Sequence, residues 1–148
     1  MSEQLYKRIL LPTDGSKYSE KSEKHALALA ASNNAEIIAL SVIENSFSLN
    51  LPDSDTVAEI NQLLKEENLE NLKNVEKLRD EAGFDIKITP KIAEGSPAKV
   101  ILETIDAEDI DLVVMGSSGK TGIDKFLMGS VAEKVVKSAK CNVLIIHD

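Results

Sequence analysis

Five short apolar runs, separated by stretches of helical spacing, constrain this chain more than any other feature. The first runs from Tyr6 to Thr13 with Ile9-Leu10-Leu11 at its centre, and the second is Glu36–Ile43. The third lies between Asp85 and Ala93 and alternates through Ile86, Ile88 and Ile92. Ile110 to Met115 and Val143 to Ile146 are the fourth and fifth. Short continuous apolar runs bounded by turn residues read as strands buried on both faces. Between them, Ala26, Leu27, Ala30 and Ala31 make a helical stripe in Ser19–Asn34, which Asn33-Asn34 end. A longer helical segment runs to Ala82, with Gly83 as its stop. Its stripes, Val57-Ile60-Leu64 and Leu69-Leu72-Val75-Leu78, do not join smoothly, which predicts a bend or short loop near Glu66–Asn68. Ser96 and Pro97 read as N-cap and first residue of a third helix carrying Ala98, Ile101, Leu102 and Ile105. A fourth helical pattern ends at Ser138. The alternation βαβαβαβαβ predicts one α/β domain over residues 1–148, a five-stranded parallel sheet with helices on both faces.

In such sheets ligands bind beyond the C-terminal strand ends, where strand order reverses. If the order is 3-2-1-4-5, the first and fourth strands are neighbours at that point. Their C-terminal ends carry Pro12-Thr13-Asp14-Gly15-Ser16 and Gly116-Ser117-Ser118-Gly119, the most turn-rich polar segments of the chain. The second of these continues through nine residues, Lys120 to Met128, to Gly129-Ser130 and a helical pattern from Val131. Glycines let backbone N–H groups approach an anion closely, and a helix start adds unpaired N–H groups and the positive end of its dipole. Fold pattern and glycine pattern therefore point to the same phosphate-binding crevice.

Charge refines that reading. The 148 residues carry a net charge of −8, which argues against DNA, RNA or an anionic membrane surface as the main partner. A nucleotide is also an anion, but exposed charges are screened beyond about 8–10 Å. The acid is concentrated between Asp53 and Gly83, with nine acids and four bases, whereas Gly116 to Ser130 carries Lys120, Asp124 and Lys125, net +1. Aromatic residues are 3% of the chain and Trp is absent, so a base pocket here must be aliphatic. The single cysteine, Cys141, forms no internal disulfide and fits a reducing compartment. A polar start, Met1-Ser2-Glu3-Gln4, and the lack of an apolar run near ~18 residues make a cytoplasmic location the expectation.

Several phosphate motifs fail on spacing. Gly119-Lys120-Thr121 resembles a P-loop tail, but Val114 stands where that motif needs glycine. The first strand is followed by Asp14-Gly15-Ser16, not by a dinucleotide fingerprint. The third strand, ending Ile92-Ala93-Glu94, lacks the Asp of a phosphorylated receiver. The spacing Gly-x2-Gly-x9-Gly-Ser, together with Ile9-Leu10-Leu11-Pro12-Thr13-Asp14-Gly15-Ser16, Gly95-Ser96-Pro97-Ala98 and Gly129-Ser130-Val131-Ala132, resembles the universal stress proteins, specifically their ATP-binding branch. The resemblance covers essentially the whole chain. It implies a Rossmann-like sheet of the adenine nucleotide alpha hydrolase type, with ATP in the crevice. Pro12, Thr13 and Asp14 would line the adenine and ribose side and Val42 would complete an aliphatic pocket. Gly116, Gly119 and Gly129 would let backbone N–H groups meet the phosphates, with Ser130 and Val131 donating from the helix start, and Met115 and Ser117 are expected among the nucleotide-binding residues. The resemblance also implies a homodimer paired through Val143 to Ile146. Ser118 departs from the Arg or His common at its position in the family, and Asn142 from a common Pro.

Plainer roles stay open for single residues: Ser130 as a helix cap, Asp14 as a turn former, Val42 as core, Lys120 and Lys125 as solvated charges. No His or Cys spacing predicts a protein-built metal site, although Mg²⁺ could arrive with ATP, held by phosphates and water. No catalytic residue is assigned. Asp14 is the one plausible carboxylate, and Arg8 and Arg79, the only arginines, lie far from the loop in sequence, so slow hydrolysis at most is expected. The leading expectation is an ATP-binding stress-response switch or sensor. A nucleotide-independent dimeric interaction module is the alternative. A nucleotidyl transferase of the same broad fold would usually carry a His-rich signature after the first strand, which Asp14-Gly15-Ser16-Lys17 lacks.

Overall fold

Ile9, Leu10 and Leu11 have no solvent exposure, and the sheet is built outward from them. In a computed structural model, which describes residues 4–44, 54–117 and 128–147, they form the middle of β1 (Arg8–Pro12). Then come α1 (Lys17–Asn33), β2 (Glu36–Ile43), α2 (Ser54–Ala82), β3 (Ile88–Glu94), α3 (Pro97–Ala107), β4 (Leu112–Gly116), α4 (Ser130–Ser138) and β5 (Asn142–Ile146). All pairings are parallel and the order is β3-β2-β1-β4-β5, as expected for this α/β alternation.

Side chains alternate across a strand, so each strand feeds two cores. Ile9 and Leu11 pack with Ala26, Leu27 and Ala30 of α1 and Leu72 and Val75 of α2. Leu10 packs on the other face with Val100, Ile101 and Ile105 of α3 and Ala132 and Val135 of α4. Each fully buried aliphatic side chain contributes about 1.5–3 kcal/mol of transfer free energy. The edges differ from the centre. β3 tolerates Pro90, opposite Ala39, because an edge strand can spare one N–H. β5 leaves Leu144 36% exposed.

Three expectations need correcting. The predicted bend near Glu66–Asn68 is absent: α2 is one helix of 29 residues. The inward stripe runs Val57, Ile60, Leu64, Asn68, Asn71-Leu72, Val75 and Leu78, so two asparagines bridge the apolar segments at helical spacing. Leu69, placed on that stripe from its apolarity, is 46% exposed. Ala31 is likewise exposed, and the inward face of α1 is continued toward its N-terminus by Ser19, Ser22 and Glu23. The expected stops hold. Asn34 ends α1 in the left-handed conformation (φ 54°, ψ 41°). Gly83 (φ 74°) ends α2 with paired bonds, Gly83 N–H to Asp80 carbonyl (3.1 Å) and Phe84 N–H to Arg79 carbonyl (3.2 Å). Ser96 and Pro97 open α3 as predicted, although the Ser96 side chain makes no capping bond.

Candidate functional site

A crevice of about 570 Å³ opens at the C-terminal ends of β1, β2 and β4, between α2 on one side and the starts of α3 and α4 on the other. That volume lies within the range usual for small-molecule sites, about 300–1,000 Å³. Ten of the eleven residues singled out from the sequence line it: Pro12, Thr13, Asp14, Val42, Met115, Gly116, Ser117, Gly129, Ser130 and Val131. The eleventh, Gly119, lies outside the described residues, as do Ser118, Lys120 and Lys125.

The two halves of the glycine motif meet through Ser117. Its N–H donates to the Ile146 carbonyl (3.0 Å), and its carbonyl accepts the Gly129 N–H (2.6 Å). Gly129 is thereby fixed as the N-cap of α4, with φ −64° and ψ 159°. Any residue adopts those angles, so the backbone here does not require glycine, and room for close approach is the remaining physical reason for one. The first helical bond of α4 is Glu133 N–H to Gly129 carbonyl (3.0 Å). The N–H groups of Ser130, Val131 and Ala132 have no partner among the described residues, as expected at a helix start. The Ser117 hydroxyl, on a residue 2% exposed, also has no partner among the described residues. Buried hydroxyls are normally hydrogen-bonded, so this one marks donor or acceptor capacity held for a ligand or water. Three free N–H groups, an orphan hydroxyl and the positive end of a helix dipole fit an oxyanion.

On the β1 side the chain turns sharply. Ser16 N–H donates to Asp14 Oδ1 (2.9 Å), a local turn that confirms a structural role for one carboxylate oxygen. Gly15 takes φ 75°, and a Cβ there would meet the Asn71 side chain at 2.2 Å. Asn71 Nδ2 donates to the Asp14 carbonyl (3.3 Å), so α2 holds this turn against β1.

Behind the turn sits the residue that sequence reading missed. Glu23 is 5% exposed, and the Thr13 hydroxyl donates to its Oε1 at 2.6 Å. The Ser19 hydroxyl is 3.4 Å from the same oxygen. Burial raises the Glu23 pKa above the ordinary carboxylate value. The Thr13 and Ser19 hydrogen bonds offset part of that rise, and the charges of Glu20 and Asp14 add to it. The signal was present in the spacing Ser19, Glu23, Ala26-Leu27, Ala30, which places a carboxylate on the buried stripe.

One wall of the crevice is aliphatic: Leu40, Val42, Ile43, Leu64, Ile101 and Met115. Asn68 adds a polar group that was also missed, because the sequence reading broke α2 there. Its Nδ2 donates to the Leu64 carbonyl (2.6 Å), which can only accept, so the amide orientation is fixed and Oδ1 faces the Ser41 hydroxyl. The ionisable side chains lining the crevice among the described residues are Asp14, Glu44 and Glu67, all acidic. Among the described residues, no group of three His, Cys, Asp or Glu side chains is arranged to hold a metal. Cys141 is half-buried, and burial raises its thiol pKa, which disfavours the thiolate. No described helix is long and apolar enough to cross a membrane.

Comparison with known proteins gives a consistent result. The model of the universal stress protein family matches residues 5–147. Universal stress protein MJ0531 of Methanocaldococcus jannaschii is 44% identical over 144 residues, covering 97% of this chain and 84% of that protein. Among solved structures, that of MJ0577, described as a hypothetical protein whose biochemical function was assigned from structure, is 33% identical with a TM-score of 0.75, covering 96% of each chain. A universal stress protein crystallised in complex with cAMP is 25% identical with a TM-score of 0.71, covering 97% of this chain and 98% of that one.

Proposed function

The chain belongs to the universal stress protein family, and we propose that this member binds ATP in the crevice and acts as a nucleotide-dependent switch or sensor. The observation that carries the reading is the orphan Ser117 hydroxyl beside the free N–H groups at the start of α4. Phosphate oxygens are the chemistry that such a cradle satisfies. The aliphatic wall suits a purine, and the complex of a structurally similar family member with cAMP supports an adenine nucleotide. Because Asp14, Glu44 and Glu67 line the crevice, Mg²⁺ carried by the phosphates would lower the repulsion. Asp14 spends one oxygen on its turn, which limits it as a base toward water, so hydrolysis would be slow at most. The edge strand β5, with Leu144 exposed, would pair with a second copy across Val143 to Ile146. Work as an ATP sensor would place the protein in the cytoplasm.

The test is thermal unfolding of nucleotide-stripped protein with ATP, AMP, GTP, cAMP or none, each with and without Mg²⁺. A ligand at about 100 times its Kd adds roughly 2.7 kcal/mol. An ATP-selective rise is expected. No rise at millimolar ATP would favour the nucleotide-independent interaction module.

A further inference from the structure

Glu23 is a buried carboxyl one hydrogen bond behind the crevice wall, and nothing in the phosphate cradle uses it. Its partner, Thr13, is itself 6% exposed and lines the crevice, as does Ser19, whose hydroxyl lies 3.4 Å from Glu23 Oε1, so these two hydroxyls stand between Glu23 and a ligand and Thr13 makes the closer contact. At 2.6 Å the Thr13–Glu23 contact is a short, charge-assisted bond. A hydroxyl has one proton and two acceptor sites. With Glu23 ionised, that proton goes to Oε1 and Thr13 faces the crevice only as an acceptor, with the Gly15 N–H also 3.4 Å from its oxygen. With Glu23 protonated, the direction reverses. The carboxylic O–H donates to Thr13 Oγ1, and the Thr13 proton is released from Oε1 to the Ser19 hydroxyl oxygen, 3.2 Å away, or to an acceptor in the crevice.

Nucleotides present mainly acceptors to such a wall: phosphate, ribose and ring-nitrogen lone pairs. Resting on the nucleotide reading above, we propose that Glu23 is a positioning residue that makes ligand binding proton-linked: acceptor-rich anionic ligands bind the form in which Glu23 donates to Thr13, and the complex takes up a proton. The electrostatics have the same sign. The charged groups acting on Glu23 are Glu20 on its own helix and Asp14 from the β1–α1 turn, both acidic. Lys24 is turned to Glu20 and Lys21 to the His147 carbonyl. β4 and β5, beneath α1, contain no ionisable residue, and in β1 and β2 the only ones are Arg8 and Glu36, paired with each other at the opposite end of the sheet. From α2, Asn71 reaches the Asp14 carbonyl and Leu72 and Val75 pack in the core under α1, while Glu67 of the same helix lines the crevice and adds a further negative charge. The two charges that act on Glu23 are thus both negative, an anionic ligand adds to them, and protonation relieves the conflict. Burial already raises the proton affinity of this carboxyl.

The test is titration calorimetry of ATP into wild type, Glu23→Gln and Thr13→Val from about pH 5.5 to about pH 8, in buffers of different ionisation enthalpy. The γ-phosphate titrates near pH 6 as well, so the differences between proteins carry the result. Gln keeps a donor toward Thr13 and does not titrate. Wild type should show a slope of log Kd against pH steeper than Glu23→Gln by up to about one, with extra proton uptake on binding. Thr13→Val, with Glu23 in place, should lose most of the difference. Equal slopes and equal proton uptake in all three, with ATP bound, overturn the proposal and leave the nucleotide reading standing. No ATP binding by any of them at any pH overturns both.

Discussion

The two ends of the sheet are built on opposite principles. At the N-terminal ends of the strands, Arg8 is fully engaged. Its Nη1 pairs with Glu36, its Nε donates to the Glu108 carbonyl (2.6 Å) and its Nη2 to Glu108 Oε2 (2.9 Å). Lys87 and Lys91 add to the same two carboxylates at 3.7 and 3.6 Å, and Asp111 accepts the Lys7 N–H at 2.8 Å. At the C-terminal ends, the hydroxyls of Ser16 and Ser117 have no partner and the first N–H groups of α4 are free among the described residues. One end has used its polar groups to close the sheet. The other holds hydrogen-bonding capacity in reserve, which costs stability unless water or a ligand satisfies it. The difference separates residues that maintain the fold from residues available for binding.

Substitutions at the two ends should therefore have separable effects. The largest is expected for Gly129→Val. The backbone at Gly129 suits a β-branched residue, so the fold should survive, but the side chain would occupy the phosphate approach. ATP affinity should fall at least about a hundredfold, ~2.8 kcal/mol. Unchanged affinity in a folded variant would refute the site. At the closed end, Arg8→Ala should cost about 2 kcal/mol in urea denaturation, since it leaves Glu36 and Glu108 without their shared partner. ATP affinity should stay within about threefold, a change of under ~0.7 kcal/mol. A larger change would show that the ends are not independent. Gly15→Ala should destabilise by about 1–2 kcal/mol from its positive φ alone, with a further contribution from the clash with Asn71. Adding Asn71→Ala should recover the clash and not the strain, and full additivity in that double-mutant cycle would contradict the contact. The smallest effect concerns Glu23→Gln without ligand. Burial raises the folded-state pKa of Glu23 above the unfolded value, near 4.5. Its favourable contribution is then fully present below that value and lost as pH rises through the folded one. The melting temperature of wild type should drop relative to the variant between acid and neutral pH, and a constant difference would remove burial as the cause.

What the sequence disclosed follows the same division. Strand order and helix ends were legible because they rest on strong local rules: continuous apolar runs, Asn34 and Gly83 as helix stops, Pro97 at a helix start. The β1, β4 and α4 side of the crevice comes from segments adjacent to those strand ends, so topology alone brought them together. The α2 wall was not legible, because Asn68 and Asn71 interrupt an apolar stripe and only tertiary packing shows that they face inward. Glu23 was missed for a related reason. A glutamate on a helix is normally solvated, and the partners that permit its burial, Thr13 and Ser19, lie outside its own helical turn or look like ordinary helix-start residues.

The position of β1 has a consequence for how the molecule assembles. β1 pairs on one side with β2, the next strand made, and on the other with β4, where Ile9 meets Leu112 across most of the chain. Such distant pairing makes for slow, late closure. Gly116 and Ser117 extend from β4, and Gly129 follows them, so no partly folded form that lacks the β1–β4 pairing can hold the crevice together. A ligand that binds there recognises only the completed chain. Its stabilisation should then appear in full as slower unfolding, with folding itself left at the pace set by the sheet.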